Sequence, residues 1–182
     1  MGELGSAPVP EPGPSDHVRG PDHGLVVIEY ADFECPFCAA VHAQLNPLGV
    51  RLVFRHFPVR SSHPRAWAAA AAAEAASAQE RFWAMHDALF ADPARLEDPH
   101  LWQRAQQIGL DLQRFDADRR SEAVTTRVQS DFRTGVRAGV VSTPALFAWE
   151  DGRAERIELE TLQGRLEVRS GTRASITRVR NE

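Results

Sequence analysis

Cys35 and Cys38 are the only two cysteines among 182 residues, and only Pro36 and Phe37 separate them. Disulfide exchange needs an attacking thiolate and a second thiol within its reach. A free cysteine ionises near a pKa of about 8.5, and the backbone amides at a helix N-terminus lower that value. We expect Cys35 at such an N-terminus as an exposed nucleophile. Cys38, one turn along the same face, is expected to be the buried resolving thiol.

Other uses of the cysteine pair remain open from the residues alone. A C-x-x-C pair is also half of many zinc sites, but no second pair is present, and we expect no metal. His42 follows Cys38 by four residues, so a site completed by distant histidines stays an alternative. Ala39 excludes the C-x-x-C-H haem motif. No glycine-rich phosphate loop is present, and we expect no cofactor.

The segments around the pair predict a strand, a turn and a helix. Residues 24–33 form an apolar run rich in β-branched residues, which is typical of a buried strand. Pro36 suits the first position of a helix, and Asn46-Pro47 ends that helix. Residues 49–58 predict a second strand, which completes a β-α-β unit. This unit places Cys35 at the N-terminus of its helix.

A long helical region follows, at about residues 62–139. Its first helix is alanine-rich, and Ser77 to Glu80 has the spacing of a capping box that would start the next helix. Asp98, Asp111 and Ser121 are predicted to begin three further helices. The inward-facing side chains of the second helix are predicted to be Phe82, Met85, Leu89 and Phe90.

The last part of the domain predicts a hairpin and a helix. Residues 145–149 and 154–159 read as two strands, and Asp151-Gly152 is a strong turn between them. A short helix within 161–170 follows. Overall the order is β-α-β, then helices, then β-β-α, which is an α/β domain with a helical insertion.

The cysteine segment resembles the thioredoxin superfamily, and within it the DsbA-like thiol–disulfide oxidoreductases. The resemblance rests on four segments: VVIEYADFECPFC at 26–38, FRHFP at 54–58, FWAMHDALF at 82–90 and VSTP at 141–144. It implies a thioredoxin fold over residues 21–170, with the insertion between the second strand and a cis-proline loop. The proline-rich residues 1–20 are expected to be a disordered tail, and residues 171–182 a loose one.

The resemblance also implies further site residues. Glu29 lies six residues before Cys35, where the family has a buried carboxylate that takes the proton of the resolving thiol. A solvated sheet face is the alternative position for Glu29. Pro144 is expected to be cis and to expose Thr143 for hydrogen bonds to an extended substrate. An ordinary turn is the alternative there.

The residues beside the cysteines influence the reactivity of the cysteine pair and the direction in which it exchanges disulfides. Pro36 and Phe37 are expected to contact substrate. Phe37 lacks the charge of the histidine that strong oxidants of the family carry, so a less oxidising protein is expected. Thr143 is similar to what isomerase-type relatives carry. Glu34 is expected to be exposed, and its charge would mildly oppose the thiolate.

The function expected from these residues is that of a protein disulfide oxidoreductase or isomerase. It would exchange disulfides with protein or small thiol substrates and would need a redox partner that recycles the pair. The alternatives are a non-catalytic metal- or partner-binding module of the same fold and, more weakly, a glutathione transferase relative.

The net charge of the chain also limits the kinds of partner that it is expected to bind. The net charge of −4 argues against general binding to nucleic acid or to an anionic membrane. No secretory signal is recognised at the N-terminus, so the expected location is cytoplasmic. A chain that had lost such a signal would look the same, which leaves an extracytoplasmic location open.

Overall fold

A five-stranded sheet organises the chain, and the computed structural model describes residues 7–168. The strand order is β1-β3-β2-β4-β5, with β2 and β3 parallel and the other neighbours antiparallel. The strands are β1 His17–Arg19, β2 Val26–Ala31, β3 Arg51–His56, β4 Ala145–Glu150 and β5 Arg153–Arg156. The helices are α1 Pro36–Leu45, α2 Ala66–Ser77, α3 Phe82–Phe90, α4 Asp98–Gln107, α5 Leu112–Asp118, α6 Glu122–Arg137 and α7 at residues 159–168.

The central strand, β2, carries the cysteines beyond its carboxyl end. Five of its six residues are buried, as expected for a strand covered on both faces. It pairs with β3 in parallel, so α1 must cross over between them, and this confirms the predicted β-α-β unit. The elements α2 to α6 form the predicted helical insertion between β3 and β4.

One apolar core joins this insertion to the sheet and to the cysteines. Both Cys35 and Cys38 belong to it. The predicted inward-facing residues of α3 are all buried there, so that interpretation is confirmed. Its large side chains that are no more than 1% exposed include Phe33, Phe54, Met85, Leu89, Leu101 and Phe115 from the turn, the sheet and the insertion. Among the helices within residues 7–168, none is both long and apolar enough to cross a bilayer.

The helix α6 approaches the sheet closely at Gly135. A Cβ atom there would lie 2.7 Å from a ring carbon of Phe57 and 2.9 Å from one of Tyr30. Real Cβ atoms do not approach ring carbons so closely, so glycine allows the helix to lie against the rings. As predicted, Ser121 caps this helix by accepting a hydrogen bond from the backbone N–H of Val124.

The expectation of a disordered tail over residues 1–20 is wrong for residues 7–20. Residues His17–Arg19 form β1, which pairs with β3. Val9 is buried, and the buried Arg55 donates hydrogen bonds to the carbonyl oxygens of Pro10 and Glu11. Proline lacks an N–H group but keeps its carbonyl acceptor, so hydrogen bonds to its carbonyl oxygens can still hold a proline-rich segment against the domain. Residues 1–6 and the expected tail at 171–182 lie outside the described residues.

The predicted capping box at Ser77 is also wrong. Ser77 is the last residue of α2, and α3 begins only at Phe82. Glu80 has a φ of 60°, in the left-handed region, and the N–H of Arg81 donates to the carbonyl of Ala76 at 2.9 Å. These features form a Schellman motif that ends a helix. The S-x-x-E spacing therefore coincides here with a helix end.

Candidate active site

The turn between β2 and α1 fixes the position of Cys35. Asp32 accepts hydrogen bonds from the N–H of Glu34 through its side chain, at 2.8 Å, and from the N–H of Cys35 through its carbonyl, at 3.1 Å. Cys35 is the N-cap of α1, and Pro36 is the first helical residue. No side chain caps this helix, so its first amides are free to face the Cys35 sulfur.

The surroundings of Cys35 favour the thiolate. A hydrogen bond from the Cys38 thiol, with help from Thr143 and from the amides of Cys38 and Phe37, outweighs burial and lowers the pKa of Cys35 from 9.0 to about 5. The residue itself is only 3% exposed, so the expectation of an exposed nucleophile is wrong. It packs into the core, with the Thr143 carbonyl 3.5 Å from its Sγ.

Cys38 has the opposite preference. It is fully buried, and burial, the hydrogen bond to Cys35 and the charge of Glu29 all raise the pKa of its thiol. The N–H of Asp32 lies 3.5 Å from its Sγ and offsets this effect in part. Cys38 therefore remains a thiol while Cys35 is an anion. The two sulfurs thus differ in ionisation, and their roles as nucleophile and resolving thiol stay predictions.

Glu29 lies on β2, opposite Phe54 on one side and Leu146 on the other. Its side chain is fully buried, which excludes the alternative of a solvated sheet face. Neither carboxyl oxygen has a hydrogen-bond partner among the described residues. Burial raises the pKa of Glu29 from 4.5 to about 8, and the charge of Arg19 opposes the rise. The group is therefore mostly protonated at pH 7 and ionises within reach of neutral pH.

The loop before β4 faces the helix that carries the cysteines. The Thr143–Pro144 peptide bond is cis. A groove of about 300 Å³ runs beside it. The groove is lined mainly by apolar side chains, which include Phe37, Val41, Pro144, Leu146, Ile157 and Leu159. Pro36 and Phe37 are exposed, and 71% of Phe37 is open to solvent. Phe37 and Pro144, two of the four residues predicted to contact substrate, line this groove, and the Thr143 carbonyl contacts the Cys35 sulfur. Substrate contact itself stays a prediction.

A family model described as thioredoxin matches residues 14–167 of the chain. The chain belongs to the thioredoxin family. The match spans more than half of the chain and includes both cysteines, Glu29 and the cis-proline loop.

Solved structures agree with this membership and with the expected DsbA-like fold. A thioredoxin-like oxidoreductase from Silicibacter pomeroyi DSS-3 is 27% identical with a TM-score of 0.73, over 88% of this chain and 94% of that one. DsbA2 from Pseudomonas aeruginosa is 25% identical with a TM-score of 0.67, over 81% and 88%. BdbD from Bacillus subtilis, 17% identical with a TM-score of 0.72 over 90% and 97%, shares the fold.

Curated relatives of this thioredoxin-family chain are much longer proteins. It is 41% identical over 141 residues to the Na⁺/H⁺ antiporter NhaA 1 of Mycolicibacterium gilvum (strain PYR-GCK), which covers 72% of this chain and 23% of that protein. It is 42% identical over 148 residues to NhaA 3 of Salinispora tropica, over 76% and 22%. The chain thus spans less than a quarter of the length of these relatives.

Sequence reasoning missed two residues beside the redox pair. Val141 is 85% exposed and lies two residues before Thr143, whose carbonyl contacts the Cys35 sulfur. Asp32 is buried and accepts hydrogen bonds from the N–H of Val59 and from Nδ1 of His63, both at 2.8 Å. An aspartate two residues before Glu34 is a turn signal, so Asp32 could have been found from sequence. Nothing in the sequence reveals the exposure of Val141.

The expectation that Glu34 is exposed is wrong as well. Only 8% of its side chain is open to solvent, because its carboxylate is paired with Arg65. These two residues are 31 positions apart, and a pairing over that separation is not visible in the sequence.

Two groups of side chains within residues 7–168 bring three possible metal ligands together, and neither includes a cysteine. One group is His42, His86 and Asp87, and the other is His17, His56 and Glu74. In each group an arginine supplies positive charge to the carboxylate: Arg19 binds Asp87 at 2.8 Å, and Arg127 lies 3.9 Å from Glu74. His56 forms a hydrogen bond with Glu74, and His86 forms one with Asp87.

Proposed function

We propose that this chain is a thiol–disulfide oxidoreductase that exchanges disulfides with protein substrates through Cys35 and Cys38. The observation that carries the proposal is the pairing of a sulfur at a helix N-terminus with a buried thiol that donates a hydrogen bond to it. Such a pair supplies both an attacking thiolate and a resolving thiol.

In the reductive direction, the Cys35 thiolate attacks one sulfur of a substrate disulfide. The Cys35–substrate bond forms, the substrate S–S bond breaks, and the other substrate sulfur leaves as a thiolate that takes a proton. Cys38 then gives its proton to ionised Glu29 and attacks the Cys35 sulfur. The Cys35–Cys38 bond forms, the Cys35–substrate bond breaks, and the second substrate sulfur leaves as a thiolate that takes a proton. The pair becomes a disulfide, and two electrons have passed to the substrate. The oxidative direction runs through the same steps in reverse.

The exposed apolar side chains near Cys35 and the groove beside Pro144 support a polypeptide substrate. Phe37 and Val141 are the most exposed large apolar side chains near Cys35, and the groove beside Pro144 is lined with further apolar groups. An extended segment with an apolar side chain would bury these surfaces while its disulfide lies over Cys35. Each turnover changes the oxidation state of the pair, so a redox partner must restore it, and no bound cofactor is needed.

The reduction potential of the Cys35–Cys38 pair is the decisive measurement. The lowered pKa of Cys35 stabilises the reduced form, while Phe37 adds no charge. We therefore expect a value between about −270 mV for thioredoxin and about −120 mV for DsbA. Cys35→Ser should abolish disulfide exchange, and Cys38→Ser should accumulate a mixed disulfide with the substrate.

Three outcomes would overturn this proposal. One equivalent of zinc bound by the reduced chain and lost in Cys35→Ser would favour a metal-binding module. Full glutathione transfer activity in Cys38→Ser would favour a transferase, because that reaction does not need the second thiol. Failure to form a Cys35–Cys38 disulfide at any glutathione ratio would exclude exchange altogether.

A further inference from the structure

Glu34 places a carboxylate directly before the nucleophile, where a negative charge opposes formation of the thiolate. The structure turns this carboxylate toward the helical insertion. Its Oε2 accepts a hydrogen bond from the backbone N–H of Arg65 at 2.7 Å, and its Oε1 accepts one from Arg65 Nε at 2.8 Å. One arginine thus binds both carboxylate oxygens.

Arg65 is itself held in place. Its NH1 donates to the carbonyl of Ala94 at 2.7 Å and lies 3.1 Å from a carboxylate oxygen of Glu97. It is also the N-cap residue of the twelve-residue helix α2. The Glu34 carboxylate therefore meets a guanidinium and the positive end of a helix dipole at once. Both partners reduce the negative charge that Cys35 experiences.

We propose that Arg65 is a positioning residue for disulfide exchange: it binds Glu34 at the N-terminus of α2 and so preserves the thiolate character of Cys35. The inference rests on the proposed function and adds a residue 30 positions away from the nucleophile. It also gives the first helix of the insertion a role in reactivity, since the segment that starts α2 neutralises the acid beside the nucleophile.

The test is the pH dependence of Cys35 alkylation by iodoacetamide in the reduced full chain, read on the Cys35 peptide by mass spectrometry. An uncompensated carboxylate beside the thiolate should raise its pKa by about one unit. Arg65→Ala should therefore slow alkylation about twofold at pH 5, where a freed glutamate is mostly ionised and the wild-type Cys35, with its pKa of about 5, is half ionised. At pH 8 the thiolate is almost fully formed in both proteins, and the two rates should agree.

A second substitution separates electrostatics from folding. Arg65→Ala combined with Glu34→Gln removes the freed charge and should return the Cys35 profile to that of the wild type. Arg65→Lys should give an intermediate profile, because lysine keeps the charge but not the bidentate contact. Arg119→Ala is the matched control, since Arg119 pairs with Asp98 at 2.5 Å within the insertion and should leave the profile unchanged.

Three outcomes would overturn the inference. The Arg65→Ala profile could match the wild type, or the double variant could stay as slow as Arg65→Ala. If Arg65→Ala does not fold, Glu34→Gln alone decides: its Cys35 pKa should equal or fall below the wild-type value, and a rise contradicts the proposal. A wild-type pKa near that of free cysteine would instead remove the proposed function itself.

Discussion

Replacing Glu29 with glutamine should change how the free energy of unfolding depends on pH, and the direction of the change follows from the pKa of Glu29. The folded carboxyl has a pKa of about 8, against 4.5 for the ordinary group. Between these values the folded protein keeps a proton that the unfolded chain has released. The stability from this group is therefore fully present below about pH 4.5 and is lost as the pH rises toward 8. Glutamine has no ionisable proton, so Glu29→Gln should abolish this pH dependence.

The size of the effect follows from the two pKa values. One pKa unit corresponds to about 1.4 kcal/mol. Linkage between 4.5 and 8 then gives a loss of about 0.8 kcal/mol at pH 5 and about 3.3 kcal/mol at pH 7. The free energy of unfolding of the glutamine variant, relative to the glutamate protein, should therefore rise by about 2.5 kcal/mol from pH 5 to pH 7.

The assay must remove the opposing contribution of Cys35. Its pKa, lowered from 9.0 to about 5, gives stability that is present above pH 9 and lost as the pH falls through 5. We therefore compare Cys35→Ala with Cys35→Ala/Glu29→Gln by urea unfolding at pH 5, 6 and 7. His42 and His86 are common to both proteins, so their titration cancels in the difference. A difference that stays constant across this range would refute the assignment of a buried, titrating carboxyl.

Four further predictions concern the site and the fold. Cys38→Ala removes the main hydrogen bond to the thiolate, so the pKa of Cys35 should rise from about 5, as read by thiolate absorbance. Phe37→His should make the reduction potential less negative, because an imidazolium favours the thiolate. Reduction above pH 5 should take up one proton for two electrons, so the potential should fall by about 30 mV per pH unit, and a slope near 60 mV would contradict an ionised Cys35. Gly135→Ala should lower the free energy of unfolding by about 1–3 kcal/mol through a clash with Phe57 and Tyr30, which a urea titration measures.

The cysteine-bearing unit could be predicted from sequence because its signals are local. A β-branched run leads into a proline-started helix, and those few residues determine where Cys35 and Cys38 lie. The burial of Glu29 could also be predicted from sequence, since a polar residue within an otherwise apolar strand is unusual. The fold class followed from the same local patterns, taken in order along the chain.

The predictions from sequence were wrong where contacts between residues far apart in the sequence determine the local structure. The strand β1 has three residues, and it forms because β3 offers a free edge, with His17 opposite Phe54. Only 8% of the Glu34 side chain is exposed because Arg65 binds its carboxylate, and this pairing depends on how α2 packs against the turn. Ser77 and Glu80 fit a helix start as well as a helix end, and only packing distinguishes the two.

In the proposed exchange, the two sulfurs and the carboxyl would also set the order of the steps. Burial, the hydrogen bond to Cys35 and the charges of Glu29 and Cys35 hold the Cys38 proton in place. When Cys35 enters a mixed disulfide, its negative charge and its strong acceptance of the Cys38 hydrogen bond are lost, so the pKa of Cys38 must fall. In the proposed exchange the resolving thiol therefore loses its proton only after the nucleophile has reacted, so that Cys35 and not Cys38 attacks the substrate.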